Sequence, residues 1–211
     1  MLKKFLVVLG VFGFAFTILA VSVLDSCSVS YSFAAPEVPP LPEPSPAGSI
    51  PKIDYQLPYP GNILPGNLLW DLKALRDKVW YTITFSPLKK AELALLFSDK
   101  RLVMSRDLLS EGKINDSVTT LTKGEKYLEI SMNEEKIAAK KGDNVGSFLE
   151  KIATASLKHR EVIEEMTPMF PEQAKPLIIE TENYPKASFK KAGDALNSLG
   201  LPVPKNPFLG D

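Results

Sequence analysis

The sequence has one cysteine, one histidine and no net charge, with 25 Lys and Arg balancing 25 Asp and Glu over 211 residues. A single cysteine, Cys27, excludes an internal disulfide framework and a cysteine-based zinc site. A single histidine, His159, excludes His-rich metal sites and leaves few routes to a His-dependent triad. Neutrality removes the basic excess with which proteins meet DNA or RNA, so no nucleic-acid partner is expected. No Gly-x-Ser-x-Gly elbow occurs, and Gly124-Glu125-Lys126 lacks the spacing of a phosphate loop. The acid pairs Glu134-Glu135 and Glu164-Glu165 are adjacent in sequence, which points them to different helix faces. Lys89-Lys90, Lys100-Arg101, Lys140-Lys141 and Lys190-Lys191 are interleaved with acids, as on a soluble helical surface. The sequence therefore predicts neither an enzyme nor a metal or cofactor site.

What is present begins with Lys3-Lys4 and the uncharged run Phe5 to Leu24. As a helix, those twenty residues are about 30 Å long, the thickness of a bilayer's hydrocarbon core. The two lysines favour the cytoplasmic side, which puts the remainder of the chain outside the cytoplasm. The run is longer than the apolar core of most signal peptides, which favours a retained single-pass anchor over residues 1–24. Two alternatives stay open. Ser32-Phe33-Ala34 offers small residues for cleavage near Ala34 and secretion, and Leu24-Asp25-Ser26-Cys27 resembles a lipobox, with Asp25 where a small or apolar residue is usual.

Proline is then concentrated: ten of the 18 prolines fall between Pro36 and Pro65. Proline lacks a backbone donor and pushes its predecessor toward extended geometry. Residues 25–56 thus read as a disordered, proline-rich linker. A polyproline-like path over residues 36–65 reaches up to roughly 90 Å. The final part, Leu57-Pro58-Tyr59-Pro60-Gly61-Asn62-Ile63-Leu64-Pro65, carries apolar groups and is expected to dock on the domain that follows.

From Asn67 onward the apolar spacing is helical. Leu69, Leu72, Leu75, Val79 and Ile83 form a first stripe, flanked by Trp70 and Trp80. Ser86-Pro87 marks a helix start, with serine as N-cap and proline in the first turn. That helix runs to about Glu111 with the seam Ala91, Leu95, Ser98, Leu102, Ser105, Leu109. A third, about 115–141, shows Val118, Leu121, Glu125, Leu128 and Met132. A fourth, about 145–166, repeats the pattern with Leu149, Ile152, Ser156, His159 and Ile163. A last helix, about 172–199, must accommodate Pro176 and Pro185 and is expected to be broken or kinked. No convincing strand pattern occurs. The prediction is an all-α, antiparallel up-and-down bundle of four long helices, with a shorter first helix across or beside it, behind an N-terminal membrane segment. Residues 57–200 form the domain and residues 201–211 a proline-containing tail.

His159 lies on an apolar seam. Its neighbours at helical spacing are Ser156, Ala155, Val162, Ile163 and Met166, so the Glu-x-x-His arrangement of di-iron bundles is absent. The expected role is a satisfied, partly buried histidine bonded to Glu125 or to a hydroxyl of a facing helix. Haem or copper held by His159 with Met104, Met132 or Met166 is a further option, although methionine at helical spacing is ordinary core filling. Candidate ligand or partner contacts are His159, Trp70, Trp80 and Tyr59.

Leu57-Pro58-Tyr59-Pro60-Gly61, Leu64-Pro65, and Ser86-Pro87-Leu88-Lys89-Lys90-Ala91-Glu92-Leu93 resemble motifs of a family of exported bacterial helical domains of unknown function. Asp99-Lys100-Arg101-Leu102, Gly124-Glu125-Lys126-Tyr127-Leu128 and Ser156-Leu157-Lys158-His159-Arg160-Glu161-Val162 extend the resemblance over about residues 57–166. Gly124 departs from the pattern where a helix-favouring alanine is expected, which puts local helix stability in question. The resemblance implies location and fold and carries no catalytic residues. The expected function is a membrane-tethered interaction or scaffold module facing an envelope protein partner. The alternative is an extracytoplasmic sensor or carrier with a small ligand, metal or haem in the bundle core.

Overall fold

In a computed structural model, residues 50–208 are described. Their helices are α1 (Trp70–Ile83), α2 (Pro87–Ser110), α3 (Ile114–Lys140), α4 (Gly146–Met166), α5 (Lys175–Thr181) and α6 (Asn183–Ser198), with a 3-10 turn, Thr167–Met169, after α4. The described residues contain no strand and form a helical bundle. The segment Phe5–Leu24 lies outside them, as do Cys27 and Ala34. No helix among the described residues is long and apolar enough to cross a membrane.

Local signals set the helix ends. Ser86 is extended and its side chain accepts a hydrogen bond from the Lys89 amide, with Pro87 behind it in the first turn. At the end of α2, Gly112 takes φ +74°. Its amide donates to the Leu109 carbonyl while the Lys113 amide donates to that of Leu108. That pairing satisfies carbonyls a helix end otherwise leaves open, and glycine adopts the required left-handed backbone without a Cβ penalty. Gly142 closes α3 in the same way. The last predicted helix is two helices meeting at Glu182. Pro176 starts α5 and Pro185 lies in the first turn of α6, positions where the missing amide has no helical partner to lose.

Helices α2 and α3 form an antiparallel pair with a seam of small residues. Ser131 donates to the Ala91 carbonyl at 2.8 Å, and Ser98 to the Gly124 carbonyl at 2.8 Å. Ser105 donates to the Ser117 carbonyl at 2.9 Å, and Ser117 to that of Ser105 at 2.8 Å. Each contact recurs seven residues along both helices, the repeat that keeps one face toward its partner. Small side chains let the backbones approach, and each hydroxyl finds an acceptor across the gap. The expectation of a weak point at Gly124 is thereby recast. Helix α3 runs through it, and a Cβ there would sit 3.0 Å from Arg101 Cβ and 3.5 Å from the Ser98 carbonyl oxygen.

Helix α4 packs chiefly on α6, which supplies the fourth wall. Arg160 meets Glu182 at one end of this pair, and Leu149 and Ile152 share a core cluster with Ala192 and Leu196 at the other. Two apolar clusters result. One contains Ala91, Leu95, Leu128, Met132, Phe148 and Ile152, the other Leu102, Leu109, Leu121, Val162, Ile163 and Met166.

The chain docks on the bundle outside the limits that composition suggested. Pro51, Ile53, Tyr55 and Leu57 are half-buried while Lys52, Asp54 and Gln56 are exposed, the alternation of an extended segment against a surface. The Ile53 amide donates to Glu161 Oε2 at 2.7 Å, so the expected Leu57 boundary moves back into the linker. Past Gly200 the tail also folds onto the helices. Leu201 crowds Gly146, Val203 crowds Gly193, and Phe208 is buried beneath the Arg160 guanidinium at 4.2 Å.

Helix α1 differs from expectation most. Its apolar stripe is expected to lie against the bundle, yet Leu69, Leu72, Val79 and Ile83 are exposed and Leu75 is half-buried. The side facing the protein is Trp70, Lys73, Ala74, Asp77 and Tyr81. Polar contacts hold that side in place. Lys73 Nζ donates to the carbonyls of Pro60 and Ile63 at 2.9 and 2.8 Å, and Tyr81 donates to Glu134 at 2.7 Å.

The α2–α3 seam generates a direct test. Replacing Gly124 with leucine forces the backbones apart despite leucine's better helix propensity. Gly124→Leu is expected to lower stability by about 1–3 kcal/mol in urea denaturation.

Candidate functional site

Three ionisable side chains from three helices meet in the layer between the two apolar clusters. Asp99 falls between Leu95 and Leu102 on α2, Glu125 between Leu121 and Leu128 on α3, and His159 between Ile152 and Ile163 on α4. Their positions follow the apolar stripe, so folding carries them inward with it. His159 is fully buried. Its Nδ1 lies 2.7 Å from Glu125 Oε1 and its Nε2 lies 3.0 Å from Asp99 Oδ1. Tyr55, from the entrance segment, donates its hydroxyl to Asp99 Oδ2 at 2.7 Å.

Two carboxylates on opposite sides of one ring require both ring nitrogens to donate, which only the imidazolium can do. Burial by itself pushes the His159 pKa down. The charge of Glu125, the hydrogen bonds that the ring donates to both carboxylates and the charge of Asp99 outweigh it and raise the pKa to about 10. The ring therefore has no lone pair for a metal and no capacity to act as a base near neutrality. Of the two partners that its seam position left open, Glu125 and a facing hydroxyl, His159 takes Glu125, with Asp99 as a second partner, and it is fully buried where partial burial is expected. Glu125 Oε2 is buried without a hydrogen-bond partner among the described residues. Burial and the hydrogen bond to Asp99 raise the Tyr55 pKa as well, keeping that hydroxyl a donor.

A second polar group fastens the entrance segment to α4. Glu161 is buried, and its carboxylate accepts from the Ile53 amide and from Lys158 Nζ at 2.8 Å. Lys52 reaches the same carboxylate at 3.5 Å and also pairs with Glu165. Burial alone raises the Glu161 pKa, but the Lys158 and Ile53 hydrogen bonds and the two lysine charges bring it below the usual carboxylate value.

The other sequence-predicted residues do not converge on His159. Tyr59 is exposed and its hydroxyl bonds locally, to Asn62. Trp70 is half-buried with Lys73 Nζ 5.5 Å from its ring. Trp80 is 47% exposed and meets Phe97 edge-on, with ring centroids 6.2 Å apart. Phe97 continues to Tyr127 at 5.7 Å, and the Arg101 guanidinium lies 4.4 Å from the Tyr127 ring. Sequence reading missed Asp99 and Tyr55. Asp99 carried a usable signal, an acid three and four residues from buried leucines, whereas Tyr55 lay in proline-rich chain with no periodicity to read.

A groove of about 670 Å³ opens elsewhere, between α4, α6 and the tail. Leu157, Phe189 and Val203 give it apolar walls, with Arg160, Lys190 and Asn206 among its polar lining.

A family model described as a domain of unknown function (DUF5667) matches residues 62–173, more than half of the chain. The chain belongs to that family. The DUF5667 match spans α1 to α4 and contains Asp99, Glu125 and His159. Tyr55 and α6 lie outside it, although one completes the polar network and the other the bundle. No curated protein and no solved structure matches the chain.

The polar layer makes stability depend on pH. The folded-state pKa of His159, about 10, lies above its ordinary value of 6.5. Its contribution is therefore complete below about pH 6.5 and is lost as the pH rises toward about 10, at up to about 1.4 kcal/mol per pH unit. Tyr55 adds its own loss only above about pH 10. Urea denaturation between pH 6 and 10 should show this decline in the DUF5667 chain, and His159→Gln should remove it. That variant leaves buried carboxylates unpaired and is expected to cost on the order of 3–5 kcal/mol at pH 6.

Proposed function

We propose that the protein is an exported, membrane-tethered interaction or scaffold module of the cell envelope, with its helical domain outside the cytoplasm. The observation that carries this reading is the junction between spacer and domain. Lys52, Ile53 and Tyr55 bond to α4 and to the buried Asp99 on α2, so the tether is built into the fold. A load or restraint on the proline-rich spacer is thereby passed to the bundle, which presents a defined face instead of swivelling freely. The uncharged run behind Lys3-Lys4 supplies the anchor, and the family resemblance supports the location. Retention is favoured over cleavage near Ala34 or lipidation at Cys27 because of the length of that run.

The partner is an envelope protein. Exposed apolar residues such as Ile137 and Ile179 offer positions for photocrosslinking on intact cells. A reproducible adduct that forms from some surface positions and not others is the expected result. A chain that gives no adduct from any exposed position counts against the reading.

A second reading, a carrier of a small ligand, is favoured by the groove between α4, α6 and the tail. The bundle core at His159 is the wrong place for it, because both ring nitrogens are taken by carboxylates. An apolar molecule with a polar end suits the apolar Phe189 and Val203 beside the exposed Lys190, with Asp194 also in the lining. A panel of fatty acids is expected to raise the melting temperature, and Phe189→Ala to abolish the rise. An unchanged melting temperature across the panel rejects this reading.

A further inference from the structure

We infer that the outward apolar face of α1 docks on the surface of the lipid bilayer to which the same chain is tethered. The inference rests on the tethered reading above and names the surface that α1 meets. Leu68, Leu72, Ile83 and Phe85 are 94, 65, 60 and 89% exposed, and Leu69, Val79 and Trp80 extend the patch. With 3.6 residues per turn, Leu72, Val79 and Ile83 fall on one side of α1. Asp77 and Tyr81 fall on the other, where Asp77 is buried and Tyr81 is bonded to Glu134. The helix is thus amphipathic with its apolar side turned away from its own protein. A contiguous apolar patch of this kind marks a docking surface.

Its chemistry fits a lipid interface. Helix α1 has 14 residues, about 21 Å, too short to span a bilayer and suited to lying in the plane of its headgroups. Trp80 sits at the patch edge, and indole prefers the boundary between acyl chains and water. Arg76 interrupts the stripe between Ile83 and Trp80 and is paired with Asp77, while Lys78 and Asp71 lie toward its other margin. A long arginine side chain can extend its charge to the headgroups while its stem stays among apolar groups.

The length of chain outside the described residues makes lipid the surface within reach. Residues 25–49 separate the uncharged run from Ile50, where the described chain begins. Extended at 3.1 Å per residue, that spacer holds the domain within about 80 Å of the bilayer. Tethering at that range makes docking effectively intramolecular, so a weak interfacial helix suffices. Lys73 fastens α1 to the Pro60 and Ile63 carbonyls, which joins the docking helix to the segment arriving from the tether.

Trp70 and Trp80 are the only tryptophans in the chain, and both lie in α1. The test uses the full chain with Trp70→Phe, reconstituted in phosphatidylcholine–phosphatidylglycerol vesicles whose acyl chains carry bromine. Bromine quenches indole only at short range. Trp80 emission is expected to fall about twofold or more relative to unbrominated vesicles, as for an indole seated at the acyl boundary. Adding Leu72→Asp and Val79→Asp should abolish quenching while circular dichroism and co-flotation with vesicles stay unchanged, since both positions are exposed. A co-floating chain with unquenched Trp80 overturns the docking and leaves the tether standing. A chain that does not co-float overturns the tether and the docking with it. A blue shift without quenching that grows with protein density assigns the face to protein contact and overturns lipid docking.

Discussion

The bundle depends on one buried imidazolium. Asp99 on α2 and Glu125 on α3 approach the same ring on α4, so His159 joins three helices at a single point. Without the proton on His159, two carboxylates would face each other through a neutral ring in a low-dielectric layer. With it, each has a charge-assisted partner. A charge held between two fixed acceptors opposes sliding of the helices, and the layer acts with the serine bonds of the α2–α3 seam to hold the register of the two apolar clusters.

The α2–α3 seam solves a related problem at closer range. Serine is a weak choice for a helix interior because its hydroxyl competes for backbone groups. Here Ser98, Ser105, Ser117 and Ser131 satisfy those hydroxyls on the facing helix. Gly124 belongs to the same device, since its missing side chain is the space into which α2 fits. Close approach, in turn, sets the spacing at which Asp99 and Glu125 can both reach His159. Tyr55 then ties the entrance segment to the same layer, so the arriving chain and the core share one hydrogen-bond network.

Helix α1 stands apart from this logic. Its inner face is held by polar bonds to the entrance segment and to α3, and its apolar face is left outward. Sequence periodicity identifies a helix and a stripe but carries no sign for inside and outside. The stripe of α1 reads like that of α2, yet one is buried and the other exposed. The difference lies in what Lys73 and Tyr81 bond to, and those partners are distant in sequence.

By itself the sequence determined the helical class and the clearest helix limits, because the Ser86-Pro87 start and the Gly112 and Gly142 ends act through local backbone chemistry. It also placed His159 and Glu125 on inward seams, since both follow a spacing of three and four, and left the partner of the ring open between Glu125 and a hydroxyl. Only the tertiary structure decided that Asp99 completes the pair, that Tyr55 closes it from within the proline-rich chain, and that α1 faces outward. Each of these is a contact between segments far apart in sequence, where no local pattern records the partner. The single histidine of the sequence is the one ring on which Asp99 and Glu125 both rely.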